Sequence, residues 1–392
     1  MPDPTLHVDD DDRYARLRLI PWWDQERLRR ARVLVVGAGA LGNEVLKNLA
    51  LVGVGHLVVV DQDVVEPANL TRSVLFRARD KGRPKAEVAA ESVRDLNPDL
   101  CVTAIADNVL TAVGLGTFRD ADVVVGCLDN REARLWVNRS CWKVSTPWVD
   151  GAIQELSGVV KVFTPPDSPC YECTMTENDY RLINLRYSCP LLRQEDLIAG
   201  RVPTVPTIAS LIGGLQAQEA LKLIHGLPVA GGEAFVFNGV VTQSYRTRFQ
   251  RREDCLSHET YPPPVELPLQ ADRHTATDLF SAVRQHWKSR DLQLSLDRDL
   301  VVSLACPGCG THERVLQPLA LVGTRRACCP RCGEPSRPEI VHAVTAASEL
   351  ADELLESLGI PPYDIVRVAS PSEEGVFLLA GDQNRLDVAR RL

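Results

Sequence analysis

The feature that most constrains the fold is a glycine-rich turn within the stretch "ARVLVVGAGALGNEVLKNLALVGVGHLVVVDQD". A β-branched run at residues 33–36 leads directly into Gly37, Gly39 and Gly42. The segment that follows has the spacing of an amphipathic helix, and a second apolar run ends at Asp61. This order of strand, glycine turn, helix and strand predicts a βαβ unit.

The predicted turn has the properties of a nucleotide-binding site. Glycine permits a sharp bend and a close approach of the backbone to a phosphate, and the helix N-terminus beyond it supplies free N–H groups. Asp61, at the end of the second strand, is placed to accept hydrogen bonds from ribose hydroxyls. Two alternatives stay open on these residues alone: a glycine turn needed only for packing, and the dinucleotide site of an oxidoreductase.

Three charged residues beyond the βαβ unit favour a triphosphate over a dinucleotide. Arg72 lies in a polar loop, Lys85 opens an amphipathic helix, and Asp129 follows a buried parallel strand. A triphosphate needs cationic donors as pyrophosphate leaves, whereas nicotinamide chemistry has no such requirement. A carboxylate at the carboxyl edge of a doubly wound sheet can hold Mg²⁺. Taken singly, each residue fits a solvated surface charge or a helix cap equally well.

Taken in order, these motifs resemble the superfamily of ubiquitin-activating enzymes and ThiF-type adenylyltransferases. The resemblance covers about residues 13–249 and rests on "RYARL" with Arg16, "GAGALG", Asp61 and Asp63, "ANLTR" with Asn69 and Arg72, "GRPKAE" with Lys85, and "GCLDN" with Asp129 and Asn130. It implies a doubly wound, Rossmann-like α/β adenylation domain that binds ATP and Mg²⁺. One position departs from the pattern, because Ser73 stands where the family often has a glutamine.

The resemblance also implies roles for individual residues. Asp61 would bind the ribose and Asp129 would position Mg²⁺. The phosphates would be held by a set of three polar side chains: Asn69, Arg72 and Lys85. Arg16 would reach the ATP of a partner subunit, which implies a homodimer.

The implied reaction starts from a ubiquitin-like protein with a free C-terminal glycine. Its C-terminal carboxylate attacks the α-phosphate of ATP and gives an acyl-adenylate. We expect the ubiquitin-type outcome, in which the enzyme takes the carrier as a thioester and passes it to a conjugating enzyme. A sulfur-carrier adenylyltransferase of the thiamine or molybdopterin type is the alternative. A Rossmann NAD-dependent oxidoreductase and a non-catalytic nucleotide-binding scaffold are competing hypotheses from other classes.

Cys189, in "LRYSCPLLRQ", is the candidate thioester cysteine. Arg181, Arg186 and Arg193 lie near it in sequence, and an electropositive setting favours the thiolate. In the resembling enzymes the thioester cysteine lies on a crossing segment such as residues 174–203. The alternative is a structural or reserve zinc ligand.

The remaining cysteines suggest two zinc sites. Disulfides are not expected among twelve cysteines in a reducing compartment, so spacing decides their use. One site would combine C-x2-C with C-x2-H: Cys170, Cys173, Cys255 and His258. The other has zinc-ribbon spacing and a glycine after each knuckle: Cys306, Cys309, Cys329 and Cys332. The alternative for the first site is one knuckle without metal and His258 on the surface.

Composition and turn-forming residues predict the general class of protein and its division into units. The chain has 392 residues and a net charge of -8, so nucleic acid is an unlikely partner. It lacks an apolar run long enough to span a membrane, and we expect a cytoplasmic protein. Residues 348–359, "SELADELLESLG", are predicted as a helix. The predicted units are an N-terminal arm (1–31), an ATP-binding adenylation domain (32–260), a linker and helix (261–300) and a zinc-ribbon α+β module (301–392).

Overall fold

The computed structural model describes residues 11–181, 203–289, 291–323, 326 and 328–383. The α-helices are α1 (Gln25–Arg30), α2 (Ala40–Val52), α3 (Lys85–Leu96), α4 (Val109–Ala112), α5 (Leu115–Arg119), α6 (Arg131–Lys143), α7 (Pro206–His225) and α8 (Ala276–Val283). The strands are β1 (Arg32–Val36), β2 (His56–Val60), β3 (Cys101–Ile105), β4 (Val123–Gly126), β5 (Trp148–Gln154), β6 (Ser157–Phe163), β7 (Glu233–Asn238), β8 (Gln243–Arg248), β9 (Val265–Leu267), β10 (Gln293–Ala305), β11 (His312–Pro318), β12 (Arg337–Thr345), β13 (Ile365–Ala369) and β14 (Glu374–Leu379). None of the helices in these ranges is long and apolar enough to cross a membrane.

The first sheet confirms the doubly wound α/β fold. Its eight strands follow the order β3-β2-β1-β4-β5-β6-β7-β8. The first five strands in this order (β3, β2, β1, β4 and β5) are parallel to one another. Strands β6, β7 and β8 then continue the sheet, each antiparallel to the strand before it. The strand order therefore reverses between β1 and β4, which is where ligands bind in sheets of this kind.

Continuous apolar runs suit the central strands because both faces of the sheet are covered. Val33 and Val35 of β1 lie in one core cluster with α2, α3 and α7. Leu34 and Val36 lie in a second cluster with α6 on the opposite face. A strand buried on both faces does not alternate apolar and polar residues, which explains the "RVLVV" sequence of β1.

The second sheet is built from the C-terminal part of the chain. Its strands follow the order β11-β10-β13-β14-β9, and β12 also pairs with β10. Residues 261–300, predicted as a linker and helix, carry β9, α8 and the first half of β10. The division into four units stays a prediction.

The prediction of a helix over residues 348–359 is wrong. The structure has a single 3-10 turn at Glu349–Asp352, followed by an isolated bridge between Leu354 and Thr275. Backbone N–H groups of this segment donate to the loop that precedes α8. Leu355, for example, donates to the carbonyl of His274 at 2.9 Å. Pairing with another part of the chain has overridden the local helical spacing.

The second unit packs directly against the first through backbone at α5. A Cβ added to Gly116 would lie 2.5 Å from the carbonyl oxygen of Tyr363. The buried carboxylate of Asp364 accepts the Leu115 N–H at 2.7 Å and pairs with Arg298 at 3.1 Å. Backbone approach this close requires glycine and fixes how the two units dock.

Strand β10 carries the second unit back along α6 towards the first sheet's carboxyl edge. Asp297 pairs with Lys143 at the end of α6, at 2.7 Å. The guanidinium of Arg298 lies over the ring of Trp136, one to two turns earlier in the helix, at 4.6 Å. The end of β10 approaches the N-terminus of α6, where Leu304 and Arg131 line the same cavity.

A glycine pair tests this docking. Gly116→Ala should lower the free energy of unfolding by about 1–3 kcal/mol, because its methyl group meets backbone that must move. The matched control is Gly214→Ala in α7, where a Cβ has nothing within 4 Å, so it should be neutral or stabilising by up to ~1 kcal/mol. Equal denaturation midpoints for the two variants would contradict the interface described here.

Candidate active site

A cavity of about 1300 Å³ lies at the carboxyl edge of the first sheet, where β1 and β4 diverge. All of the predicted nucleotide-binding residues except Gly42 line it. The second unit supplies another wall, with apolar residues that include Leu319, Val322 and Ile340. The cavity is therefore bounded by both units, which the sequence did not predict.

The structural reason for glycine differs among the three positions of the turn. Gly37 has φ +100°, and a Cβ there would lie 2.4 Å from the carbonyl oxygen of Cys127. A Cβ on Gly42 would lie 1.9 Å from the carbonyl oxygen of Gly37, so Gly42 packs against the turn. A Cβ on Gly39 meets nothing within 4 Å. Gly39, which caps α2, therefore leaves space in the cavity that a phosphate group can fill.

Asn43 holds the turn in place and was missed by the sequence analysis. Its buried amide donates to the carbonyls of Ala38 and Gly39 at 2.7 and 3.0 Å. Its side-chain oxygen accepts the N–H of Leu75 at 2.8 Å, which ties the turn to the Arg72 loop. A polar residue on the apolar face of α2, immediately after the glycines, was the signal available in the sequence.

Asp61 is fixed by the backbone at the end of β2. Its carboxylate accepts the N–H of Ala38 at 2.7 Å and that of Asp63 at 2.8 Å. Burial raises the pKa of Asp61, while the charge of Lys85 and these two N–H donors oppose that rise. The carboxylate is thus held rigidly beside the turn, as a ribose-binding group requires.

Lys85 and Arg72 bring positive charge to the same side of the cavity. The buried Lys85 donates to the carboxylate of Asp63 at 2.8 Å, and Asp63 is itself exposed. Arg72 donates to the carbonyl of Ala68 at 3.0 Å, and no carboxylate lies within ion-pair distance of it among the described residues. Asn69 uses its side-chain oxygen to accept the N–H of Glu66 at 2.8 Å.

Asp129 faces the cavity from the loop after β4. Its side chain is exposed, and its nearest polar contact is the amide of Asn130 at 3.4 Å. Asn130 in turn caps α6 by accepting the N–H of Ala133 at 2.8 Å. An exposed carboxylate beside a phosphate-sized space fits Mg²⁺, which prefers oxygen ligands.

A second group of charged residues lies on the β5–β6 side of the cavity. Arg134 pairs with the buried Asp150 at 3.0 Å and also donates to the carbonyl of Gly151 at 3.1 Å. Lys161 lies beside them, with its ammonium 5.1 Å from the ring centroid of Tyr171. Burial lowers the pKa of Lys161, and the charge of Asp150 opposes this. These residues are far apart in sequence, and no sequence motif predicts their contact.

The other predicted catalytic residues are Cys189 and Arg16. Cys189, like Arg186 and Arg193, lies outside the described residues. Arg16 is exposed on the N-terminal arm, where its neighbour Tyr14 contacts Gly53 at the far end of α2. A helix of 13 residues spans about 20 Å, so Arg16 lies at the opposite end of α2 from the cavity.

The sequence model of the ThiF family matches residues 12–257 of this chain. The chain belongs to the ThiF family. Its relatives include the sulfur carrier protein ThiS adenylyltransferase of Escherichia coli, which is 33% identical over 59% of this chain and 87% of that protein. The SAMP-activating enzyme E1 of Haloferax volcanii is 35% identical over 64% of this chain and 90% of that protein. The relatives are adenylyltransferases or an activating enzyme, so this ThiF chain is an enzyme.

Two further comparisons agree with this result. The molybdopterin-synthase adenylyltransferase of Escherichia coli is 31% identical over 62% of this chain and 94% of that protein. The crystal structure of Escherichia coli MccB with ATP superposes with a TM-score of 0.53 at 24% identity, covering 66% of this chain and 77% of that one. At this level of identity the likeness to MccB concerns the fold alone.

The first predicted zinc site is brought together in this ThiF chain. Cys170 lies 3.5 Å from Cys255, and Cys173 lies 3.4 Å from Nε2 of His258. All four ligand atoms lie within 4.8 Å of one another, as a tetrahedral zinc site requires. The buried Glu172 accepts a hydrogen bond from Ser257, which links the two knuckles.

The second predicted site has the same geometry. Cys306 lies 3.4 Å from Cys332, and Cys309 lies 3.5 Å from Cys329. The backbone N–H of Arg331 donates to Cys329 at 3.4 Å, which suits a thiolate ligand. Both clusters therefore have the donor atoms and spacing to hold zinc.

Elemental analysis tests these clusters. We expect two zinc ions per chain. Changing both Cys306 and Cys309 to Ser should remove one ion and unfold the ribbon locally, because metal binding stabilises such small modules. Changing Cys170 and Cys173 to Ser should remove the other.

Cys328 provides the control for the metal measurement. It is adjacent to the ribbon but lies outside the cluster, so Cys328→Ser should retain both ions. A stoichiometry of one in the unsubstituted protein would contradict one of the two sites.

Proposed function

We propose that the protein uses ATP to adenylate the C-terminal carboxylate of a small ubiquitin-like protein. The observation that carries the proposal is the set of charged side chains around one glycine turn: Arg72, Lys85 and Asp129 line one cavity with Gly39. Relatives in the ThiF family are named as adenylyltransferases of a sulfur carrier protein and of molybdopterin synthase. A triphosphate site in this family favours adenylation over nicotinamide chemistry.

The geometry suits the displacement reaction. The carrier carboxylate forms a bond to the α-phosphorus of ATP, the bridging bond to the β-phosphate breaks, and pyrophosphate leaves. Lys85 is paired with the exposed Asp63, so it can exchange that partner for a phosphate at little cost. Arg72 is available for a second phosphate. Preorganised cations of this kind stabilise charge as it moves onto pyrophosphate.

Asp129 would hold Mg²⁺ in this proposal. The ion neutralises phosphate charge when it is bound. Asn130, which follows Asp129 and caps α6, keeps the loop in position for this task.

Two candidate functions differ in what happens to the adenylate. The names of the relatives favour the first, a sulfur-carrier adenylyltransferase. In that case a sulfur donor attacks the acyl-adenylate and releases AMP. The second candidate is a thioester on Cys189 followed by transfer to a conjugating enzyme. It is supported by the relative from Haloferax volcanii, which is named an activating enzyme E1. Both candidates share the first step.

A homodimer is part of the proposal because of Arg16. The arm that carries Arg16 is about one α2 length from the cavity of its own chain. Arg16 would therefore contribute to catalysis in the cavity of a partner subunit.

The phosphate chemistry can be tested by carrier-dependent ATP–pyrophosphate exchange. Lys85→Ala and Asp129→Ala should each lower exchange by roughly 100-fold, because one preorganised charge contributes about 3 kcal/mol. Lys81→Ala is the matched control, since Lys81 is exposed, lies four residues before Lys85 in the loop that leads into α3, and does not line the cavity. Normal exchange by Asp129→Ala would exclude the Mg²⁺ role given to that residue.

The fate of the adenylate can be tested on a non-reducing gel. If Cys189 is the acceptor, the enzyme should carry a carrier adduct that thiol reductant removes, and Cys189→Ser should trap a reductant-resistant ester. Cys189→Ala should keep pyrophosphate exchange and lose the adduct, because adenylation precedes the cysteine step. Exchange without any cysteine adduct in the unsubstituted enzyme would support the sulfur-carrier candidate instead.

A further inference from the structure

The cations that line the cavity differ in whether a carboxylate already neutralises them. Lys85 pairs with Asp63 at 2.8 Å. Arg134 pairs with Asp150 at 3.0 Å. The ammonium of Lys161 has no carboxylate within ion-pair distance in the part of the chain that the structure describes. Two aromatic rings lie beside it.

Those aromatic neighbours fix the direction of the Lys161 side chain. Its ammonium lies 5.1 Å from the ring centroid of Tyr171 and 5.7 Å from that of Phe249. Cation–π contacts of this kind hold an ammonium without neutralising its charge. Lys161 thus presents a partly buried positive charge to the cavity without an ion-pair partner among the described residues, and the carboxylates of Asp150 and Asp179 act on it only from beyond ion-pair distance.

Strand register places this charge level with the glycine turn but on the opposite side of the cavity. Val36 is paired with Gly126, Gly126 with Asp150, and Asp150 with Lys161, in one row across four strands. With strands about 4.8 Å apart, Lys161 lies roughly 14 Å from Val36, which immediately precedes the turn. That separation leaves room for phosphates at one end of the row and for a second anion at the other.

We propose that Lys161 binds the C-terminal carboxylate of the carrier protein and positions it for attack on the α-phosphorus. The inference rests on the proposed function, because adenylation needs a second anion beside ATP in this cavity. The new bond joins a carboxylate oxygen to the α-phosphorus, and pyrophosphate leaves. Lys161 keeps its proton throughout. In the proposed function Arg72 and Lys85 face the triphosphate, while Asp150 is already paired with Arg134.

The test compares Lys161→Met with Lys161→Arg in the full chain by carrier-dependent pyrophosphate exchange. The methionine is one atom shorter than lysine, and it keeps an unbranched apolar side chain against the two rings but removes the charge. It should raise the KM for the carrier roughly 10- to 100-fold, as expected for loss of one charge-assisted contact, and leave the KM for ATP within about twofold. Arginine should restore part of the carrier affinity.

Lys222→Met is the matched control. Lys222 is a partly exposed lysine on α7, which covers the opposite face of the same sheet, and it pairs with Glu219 at 2.8 Å. It should leave both KM values unchanged. Equal thermal midpoints for the Lys161 variants and the unsubstituted enzyme exclude a folding defect as the cause.

A binding measurement isolates the carboxylate. The ligand is a synthetic peptide with the C-terminal sequence of whichever carrier protein supports exchange. It is prepared in two forms, one with a free C-terminal carboxylate and one with a C-terminal amide. The unsubstituted enzyme should prefer the carboxylate, and Lys161→Met should bind the two peptides alike. An unchanged preference in Lys161→Met, or a raised KM for ATP in place of the carrier, would overturn the assignment.

The outcomes separate this inference from the proposed function. If no small protein with a free C-terminal glycine supports exchange by the unsubstituted enzyme, the proposed function fails and the role of Lys161 falls with it. If exchange occurs and the Lys161 variants keep the original carrier KM, only the role of Lys161 fails.

Discussion

The contact between the glycine turn and the strand beside it is the constraint on which the rest of the site depends. Gly37 lies so close to the carbonyl of Cys127 that a Cβ would be 2.4 Å from that oxygen. The backbone N–H of Gly37 donates to Val60, and that of Cys127 donates to Val36. Strands β1, β2 and β4 are thereby joined at the carboxyl edge of the sheet. The candidate nucleotide-binding residues are arranged around this junction.

The arrangement of charge around this junction follows from burial. Lys85 and Arg134 are buried and each has a carboxylate partner, because an unpaired buried cation is costly. The partner of Lys85 is exposed, whereas Asp150, the partner of Arg134, is almost fully buried. In the proposed function the first pair would open to admit a phosphate, while the second pair is a buried part of the cavity wall.

The second unit forms part of the wall of the candidate active site. Its docking relies on backbone contact at Gly116 and on the buried pair of Asp364 with Arg298. Strand β10 then runs along α6 and brings apolar residues such as Ile340 and Leu319 to the cavity. The cysteine cluster with zinc-ribbon spacing begins directly after β10.

Short-range patterns in the sequence determined the βαβ unit, the position of Asp61 after β2 and each individual zinc-ligand knuckle, because each depends on spacing within a few residues. The paired knuckles of the first zinc site also required the fold to join Cys170 with Cys255. Only the tertiary structure decided the row that ends at Lys161 and the wall supplied by the second unit, since strand register and domain docking leave no local signature. The same long-range pairing turned the predicted helix at residues 348–359 into a 3-10 turn and a bridge, because backbone hydrogen bonds to residues 271–276 replaced those within a helix.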